Sequence, residues 1–335
     1  MKIALVGLAG SGKTTVFSAI TGLRPDEKEL LKTHLGVVTV PDERLDELAR
    51  LLNPKKVTHT EAVFVDTHGF DLVHAREADA LVIVIGVFSG ASAKKDAQEI
   101  CADLILADLE IVDKRLSALK KEIESGKNLR GQGEYTVLAR CKAHLDKPQP
   151  LRTLGLTREE QKTVSGYQFV SLRHLLFIAN VGEEQIGSPS IDDLRVFARQ
   201  ETIPLIEMCA KVEQEILQLP EAERAQFLKG MGISELSEDA VIKAAYRSLD
   251  LVSFFTVKGD ENKSWPVKKG SSAIEAAGKV HTDIQRGFIK AEVINYKDFI
   301  ACGDFNEAKK RGLLRLEGKD YAVQDGDIIN FKFNV

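Results

Sequence analysis

The segment Gly7-Leu8-Ala9-Gly10-Ser11-Gly12-Lys13-Thr14 joins the apolar run Ile3 to Val6 to a helical pattern from Lys13 to Thr21. A strand, a G-x-x-x-x-G-K-T loop and a helix in that order allow few folds, because the loop works only where a buried strand ends against a helix N-terminus. Glycines let the backbone bend until successive N–H groups face one anion, and the helix end adds about half a positive charge. The expected phosphate cradle is Ala9, Gly10, Ser11, Gly12, Lys13, Thr14 and Thr15. Lys13 is expected to reach the β- and γ-phosphates of ATP or GTP and to stabilise their charge catalytically, with Mg2+ held by the Thr14 hydroxyl.

A second element of such a site is an acid at the end of another buried strand. Val63-Phe64-Val65-Asp66-Thr67-His68-Gly69 supplies it: Asp66 as the magnesium residue, acting through water, and Gly69 as an amide that senses a γ-phosphate. His68 is the candidate to orient an attacking water, and an exposed loop histidine is the alternative reading.

The base-reading motif of common guanine-binding relatives of this loop class is Asn-Lys-x-Asp after a later strand. Here Phe177-Ile178-Ala179 runs into Asn180-Val181-Gly182-Glu183, without the lysine and with a longer acid. A short carboxylate pairs with the N1–H and amino group of guanine, whereas adenine offers no N1 proton, so the change weakens guanine preference. Asn180 and Val181 are then expected to meet an adenine, with Glu183 beside them; the alternative is that Asn180 only ends a strand. Cys209-Ala210-Lys211, after the run Ile203 to Met208, reads as a second loop flanking the base or as a plain helix start.

Beyond these motifs, Leu35 to Val40, Ala62 to Val65 and Leu81 to Val87 are strand-like, and Asp42 to Leu52 reads as a helix. The alternation predicts an α/β class, a mostly parallel sheet with helices on its faces. From Asp103 the stripe Ile105, Leu109, Val112, Leu116, Leu119 and Ile123 has coiled-coil spacing, and Leu138, Cys141 and Leu145 resume it after a glycine-containing loop. This predicts an antiparallel helical hairpin inserted at 103–170 into a nucleotide-binding domain formed by 1–102 and 171–250. Strands at Leu175 to Ala179 and Ile203 to Met208 flank a helix at Ile191 to Arg199, and helices fill Val212 to Asp250. Short strand patterns at Leu251 to Val257, Ile289 to Ile294 and Ile328 to Phe333 predict a separate α+β domain at 251–335.

The net charge of −4 gives no global reason for nucleic-acid or membrane binding, so any such surface must be local. Lys114, Arg115, Lys120, Lys121, Lys127, Arg130, Arg140 and Lys142 gather on the hairpin, either as a surface for RNA phosphates or as a solvated coiled-coil face. The longest apolar run, Ala80 to Phe88, is under half a bilayer span. With no secretory pattern after Lys2 and four scattered cysteines, a cytoplasmic chain with reduced thiols is expected.

Over nearly its whole length the sequence resembles the YchF subfamily of Obg-related P-loop proteins. The resemblance rests on the phosphate loop, on Val40-Pro41-Asp42-Glu43-Arg44-Leu45 and on Asn180-Val181-x-Glu183. It is carried furthest by Ala276-Ala277-Gly278-Lys279-Val280-His281-Thr282-Asp283, Gly287 to Ile294 and Glu317 to Val335. It implies a P-loop NTPase fold, the inserted hairpin, a C-terminal TGS domain of β-grasp type, preference for ATP over GTP, and association with ribosomes. The sequence departs from the family in the first switch, where Leu30 stands near the usual threonine and Thr33 is a nearby substitute. It also departs after Gly69, where a glycine-rich segment is missing, and between Phe88 and Ala97, where the family's water-positioning histidine has no counterpart.

Overall fold

The run Ile3-Ala4-Leu5-Val6 is buried throughout, as an inner strand of a parallel sheet requires. It forms most of β1 (Lys2–Val6) in a computed structural model that describes residues 1–25, 32–67, 69–90, 92–125, 131–230 and 236–334. Leu30, His68, Lys127 and Arg130 lie outside the described residues. The chain divides into two compact units, Met1–Val38 with Val63–Ala245, and Thr39–Ala62 with Tyr246–Val335.

In chain order the elements up to the hairpin are β1, α1 (Lys13–Thr21), β2 (His34–Thr39), α2 (Glu43–Leu52), β3 (Lys56–Thr58), β4 (Glu61–Asp66), α3 (Leu72–Glu77) and β5 (Ala80–Gly86). The hairpin is α4 (Ala93–Glu124) and α5 (Gly131–Leu145), followed by α6 (Arg158–Val164), β6 (His174–Asn180), α7 (Asp192–Gln200) and β7 (Leu205–Met208). Helices α8 (Ala210–Ile216), α9 (Glu221–Gly230) and α10 (Ser237–Ser248) come next.

The first unit is built on a six-stranded sheet of order β2-β4-β1-β5-β6-β7. Its pairs β4–β1, β1–β5, β5–β6 and β6–β7 are parallel. The C-terminal ends of β1, β4, β5 and β6 thus deliver the phosphate loop, Asp66, Gly86 and Asn180 to one edge, where ligands of open α/β sheets bind.

Helix α4 begins ten residues before the expected Asp103. Ser92 caps it by accepting from the Lys95 N–H, and its first turns bury Ala93, Ala97, Ile100 and Leu104 in the sheet core with Ile83, Phe177 and Leu194. Farther along, Ile105, Val112 and Leu119 join Leu138, Cys141 and Leu145 of α5 in a second core. One helix therefore serves two cores in succession, which hides the domain boundary from its periodicity.

The second unit holds β8 (Leu251–Lys258), β9 (Glu261–Lys268), α11 (Ala273–Val280), α12 (Thr282–Arg286), β10 (Phe288–Asn295), α13 (Tyr296–Cys302), α14 (Phe305–Lys310), β11 (Arg315–Glu317) and β12 (Asp327–Phe333). Its sheet has the order β11-β10-β12-β8-β9-β3. One core contains Val252, Phe254, Val293 and Phe331 with Ala273, Ala276 and Ala277 of α11. Another contains Phe255, Ile294 and Ile328 with Leu45 and Leu48 of α2 and Phe299 of α13. Segment 39–62, assigned from sequence to the nucleotide-binding domain, belongs here instead, because α2 buries its leucines in this core and β3 runs parallel to β9. Strand β3 is too short and too polar to have been anticipated. No helix among the described residues is long and apolar enough to cross a membrane, and all four cysteines are free thiols.

Candidate phosphate-binding site

The loop between β1 and α1 turns through two left-handed glycines, Gly10 at φ +78° and Gly12 at φ +83°. A side chain at Gly12 would collide with Asn180 Nδ2 at 2.2 Å, and one at Gly7 with the Val84 carbonyl oxygen at 2.4 Å. Those close approaches explain the glycines: the loop is pressed against β5 and β6. Ala9 and Gly10 are exposed, while Ser11 and Lys13 are buried and Thr14 and Thr15 are half-buried at the first turn of α1.

Lys13 Nζ donates to the Gly7 carbonyl at 2.8 Å and to the Leu8 carbonyl at 3.2 Å, so the ammonium lies inside the loop. Burial lowers its pKa from the ordinary 10.5, and the negative charge of Asp66 opposes that shift. Asp66 ends β4 in the interior, followed by buried Thr67 and by Gly69 at φ +67°. Ser11 Oγ is buried without a hydrogen-bond partner beside the loop amides. A buried cation, an orphaned hydroxyl and free helix-start amides together suit a polyanion.

Thr14 and Asp66 offer a hydroxyl and a carboxylate, the hard oxygen donors that magnesium takes. No group of three or more His, Cys, Asp or Glu side chains gathers as a metal site among the described residues. A magnesium ion here would complete its shell from phosphate and water, which is how the ion is commonly held.

Asn180 is a clamp. Its Nδ2 donates to the Ser11 carbonyl at 3.1 Å, and its Oδ1 accepts from the Ala210 N–H at 3.2 Å. It thus ties the phosphate loop to the start of α8, and each amide atom retains a second valence. Cys209 and Ala210 are buried at that start and Lys211 is exposed; Val181 is buried and Glu183 is exposed in the turn after β6. The phosphate loop, Asn180 and Ala210 are therefore joined directly.

Phe88, missed from sequence, is 47% exposed, and its Cε1 would lie 3.7 Å from a Cβ at Gly12. Its Cβ is 3.5 Å from the corresponding point at Gly182. An aromatic two residues past the end of a central strand was the available signal, since that edge of the sheet is where ligands bind. His74 Nδ1 lies 2.9 Å from Asp71, whose carboxylate also caps α3 by accepting from the Val73 N–H. Phe70, after Gly69, packs against the sheet core.

On the hairpin, three of the basic residues are neutralised internally. Arg115 binds Glu122 and Glu134, Arg140 binds Glu160, and Lys142 binds Asp113 at 2.7 Å and Asp146. Lys114, Lys120 and Lys121 remain exposed.

A family model, YchF-GTPase_C, described as "Protein of unknown function (DUF933)", matches residues 251–334. The chain is 37% identical over an alignment of 361 positions to the ribosome-binding ATPase YchF of Bacillus subtilis, covering 99% of this chain and 98% of that protein. It is 33% identical to the protein of the same name from Escherichia coli O157:H7, covering 100% and 99%. The YchF GTPase structure from Schizosaccharomyces pombe superposes with a TM-score of 0.84 at 24% identity, over 99% of this chain and 97% of that one. A GTP-binding protein structure from Pyrococcus horikoshii OT3 gives 0.67 at 18% identity, covering both chains fully. Those two structures support the fold.

Proposed function

The chain belongs to the YchF family, and we propose that it is a cytoplasmic, ribosome-associated switch protein that binds ATP in preference to GTP with Mg2+ and hydrolyses it slowly. The observation that carries this reading is the clamped loop: Lys13 buried against its own carbonyls, with Asn180 fixing Ser11.

In this reading the N–H groups of Gly10, Gly12, Lys13, Thr14 and Thr15 hold the phosphates, and Lys13 leaves the Gly7 and Leu8 carbonyls to take phosphate oxygens instead. Thr14 and Asp66 hold magnesium, which when bound neutralises phosphate charge. Phe88 and Val181 form walls for the base, and Asn180 uses its remaining donor and acceptor on the purine edge, with Glu183, Cys209 and Lys211 around it. Ala210 is held by Asn180, and the Gly69 amide meets the γ-phosphate. Residues 103–170 are an insertion whose exposed Lys114, Lys120 and Lys121 face RNA phosphates, with the TGS-like second unit as a further contact.

Two readings are tested against each other. The names of the relatives favour an ATPase, whereas the segment missing after Gly69 and the absence of a histidine between Phe88 and Ala97 favour binding without turnover. His68 stays the candidate for orienting water. Calorimetry with ATP and GTP, each with magnesium, is expected to give tighter ATP binding; equal or tighter GTP binding overturns the base assignment. Phosphate release in single turnover is expected to exceed that of Lys13→Ala, and equality leaves a binding switch.

A further inference from the structure

Arg76, on the last turn of α3, reaches 32 residues along the chain into the base of the hairpin. Its guanidinium donates to Asp108 Oδ1 at 3.2 Å, to the Gln168 carbonyl at 3.4 Å and to the Ala107 carbonyl at 3.3 Å. Asp108 is wholly buried on α4, and its two oxygens accept from the Val170 and Ser171 N–H groups at 3.0 and 2.7 Å. Arg173 in turn donates to the Arg76 carbonyl at 2.5 Å. One knot therefore binds the helix that follows Gly69, the long hairpin helix, and the segment that leads from the hairpin into β6.

The planar fork of an arginine suits this task, because three acceptors from two segments lie within its reach and a lysine ammonium cannot span them. The anchor is rigid: Asp108 has no exposed surface, and Ser171 is itself held through its hydroxyl and carbonyl by Leu151 and Arg152. Helix α3 is short and begins three residues after Gly69, so a displacement at Gly69 is passed to Arg76 within two turns.

We propose that the Arg76 fork couples occupancy of the phosphate site to the stability of the hairpin base, so that a triphosphate nucleotide changes how firmly 105–124 and 131–145 are held. This rests on the nucleotide-binding reading. Coupling is reciprocal: a partner that grips the hairpin alters triphosphate affinity by the same factor.

Hydrogen exchange on the full chain tests it, with and without a non-hydrolysable ATP analogue, with ADP as the comparison. In the wild type the analogue is expected to change protection of 105–124 and 131–145 by about fivefold or more, the lower bound of usual allosteric coupling, and ADP to change it less. In Arg76→Ala, and in the milder Arg76→Lys, the response is expected to stay within residues around Gly69 while calorimetry still finds the nucleotide bound. An equal hairpin response in both variants, or none in a wild type that binds the analogue, overturns the coupling alone. A wild type that binds no nucleotide removes the premise and the proposal together.

Discussion

Gly10 and Gly12 look equivalent in sequence, yet their surroundings differ. Both have left-handed φ values, but nothing lies within 4 Å of a Cβ at Gly10, whereas one at Gly12 meets Asn180 Nδ2. Gly10→Ala therefore suffers mainly the left-handed penalty, about 1–2 kcal/mol. Gly12→Ala adds a clash with a side chain already committed to Ser11 and Ala210, for a further 1 kcal/mol or so at least, on the order of overpacking costs. Urea unfolding of the two variants is expected to rank Gly12→Ala as the less stable; equal losses would mean that Asn180 yields freely. The strand, loop and helix of Lys2 to Thr21 were legible because their spacing is local. The role of Asn180 as a clamp was not, because its partner Ser11 is 169 residues away in sequence and only sheet order brings them together.

At the level of elements, the hairpin was legible from Ile105 onward. Its true start was also written in the chain, since Ala93, Ala97, Ile100 and Leu104 have the same 4, 3, 4 spacing, though the two alanines that open it carry a weak signal. The polar seam was illegible: three of the basic residues that looked like a patch, Arg115, Arg140 and Lys142, are paired with acids that lie mostly on other helices. Glu134 is the centre of that seam, accepting from both Arg115 Nε at 2.9 Å and the Tyr167 hydroxyl. The Arg115 hydrogen bonds hold its carboxyl below the ordinary 4.5, against burial and with help from Tyr167. A lowered folded value means the folded state binds the proton less tightly, so the contribution is present above about 4.5 and is lost as pH falls through the lowered value. Glu134→Gln is expected to lose about 1 kcal/mol near neutrality, the scale of a partly exposed charged pair. The gap from the wild type should close in denaturant titrations as pH drops below that range; a gap that persists in acid would assign the effect to packing.

Across the whole chain, the second unit draws on two distant stretches, and this was the least legible feature. The sequence Asp42 to Leu52 announces an amphipathic helix, but nothing local says which sheet it covers. Leu45 and Leu48 are fully buried against Phe255, Ile294, Phe299 and Ile328, and Arg44 adds contacts to Asp325 at 2.9 Å and over the Phe255 ring. Burying two such leucines is worth about 3–6 kcal/mol, an amount comparable with the whole stability of a small domain. A fragment of 246–335 would therefore uncover the part of the Phe255, Ile294 and Ile328 core that Leu45 and Leu48 close and leave the β9 edge unpaired, although the matched family model covers only 251–334. Such a fragment is expected to bind a hydrophobic dye and to unfold without a sharp transition. Supplying a peptide of residues 39–62 should restore cooperative unfolding, followed through Trp265, the single tryptophan, which lies on β9. A fragment that unfolds cooperatively without the peptide would show that α2 decorates the second unit and is not needed to complete its core.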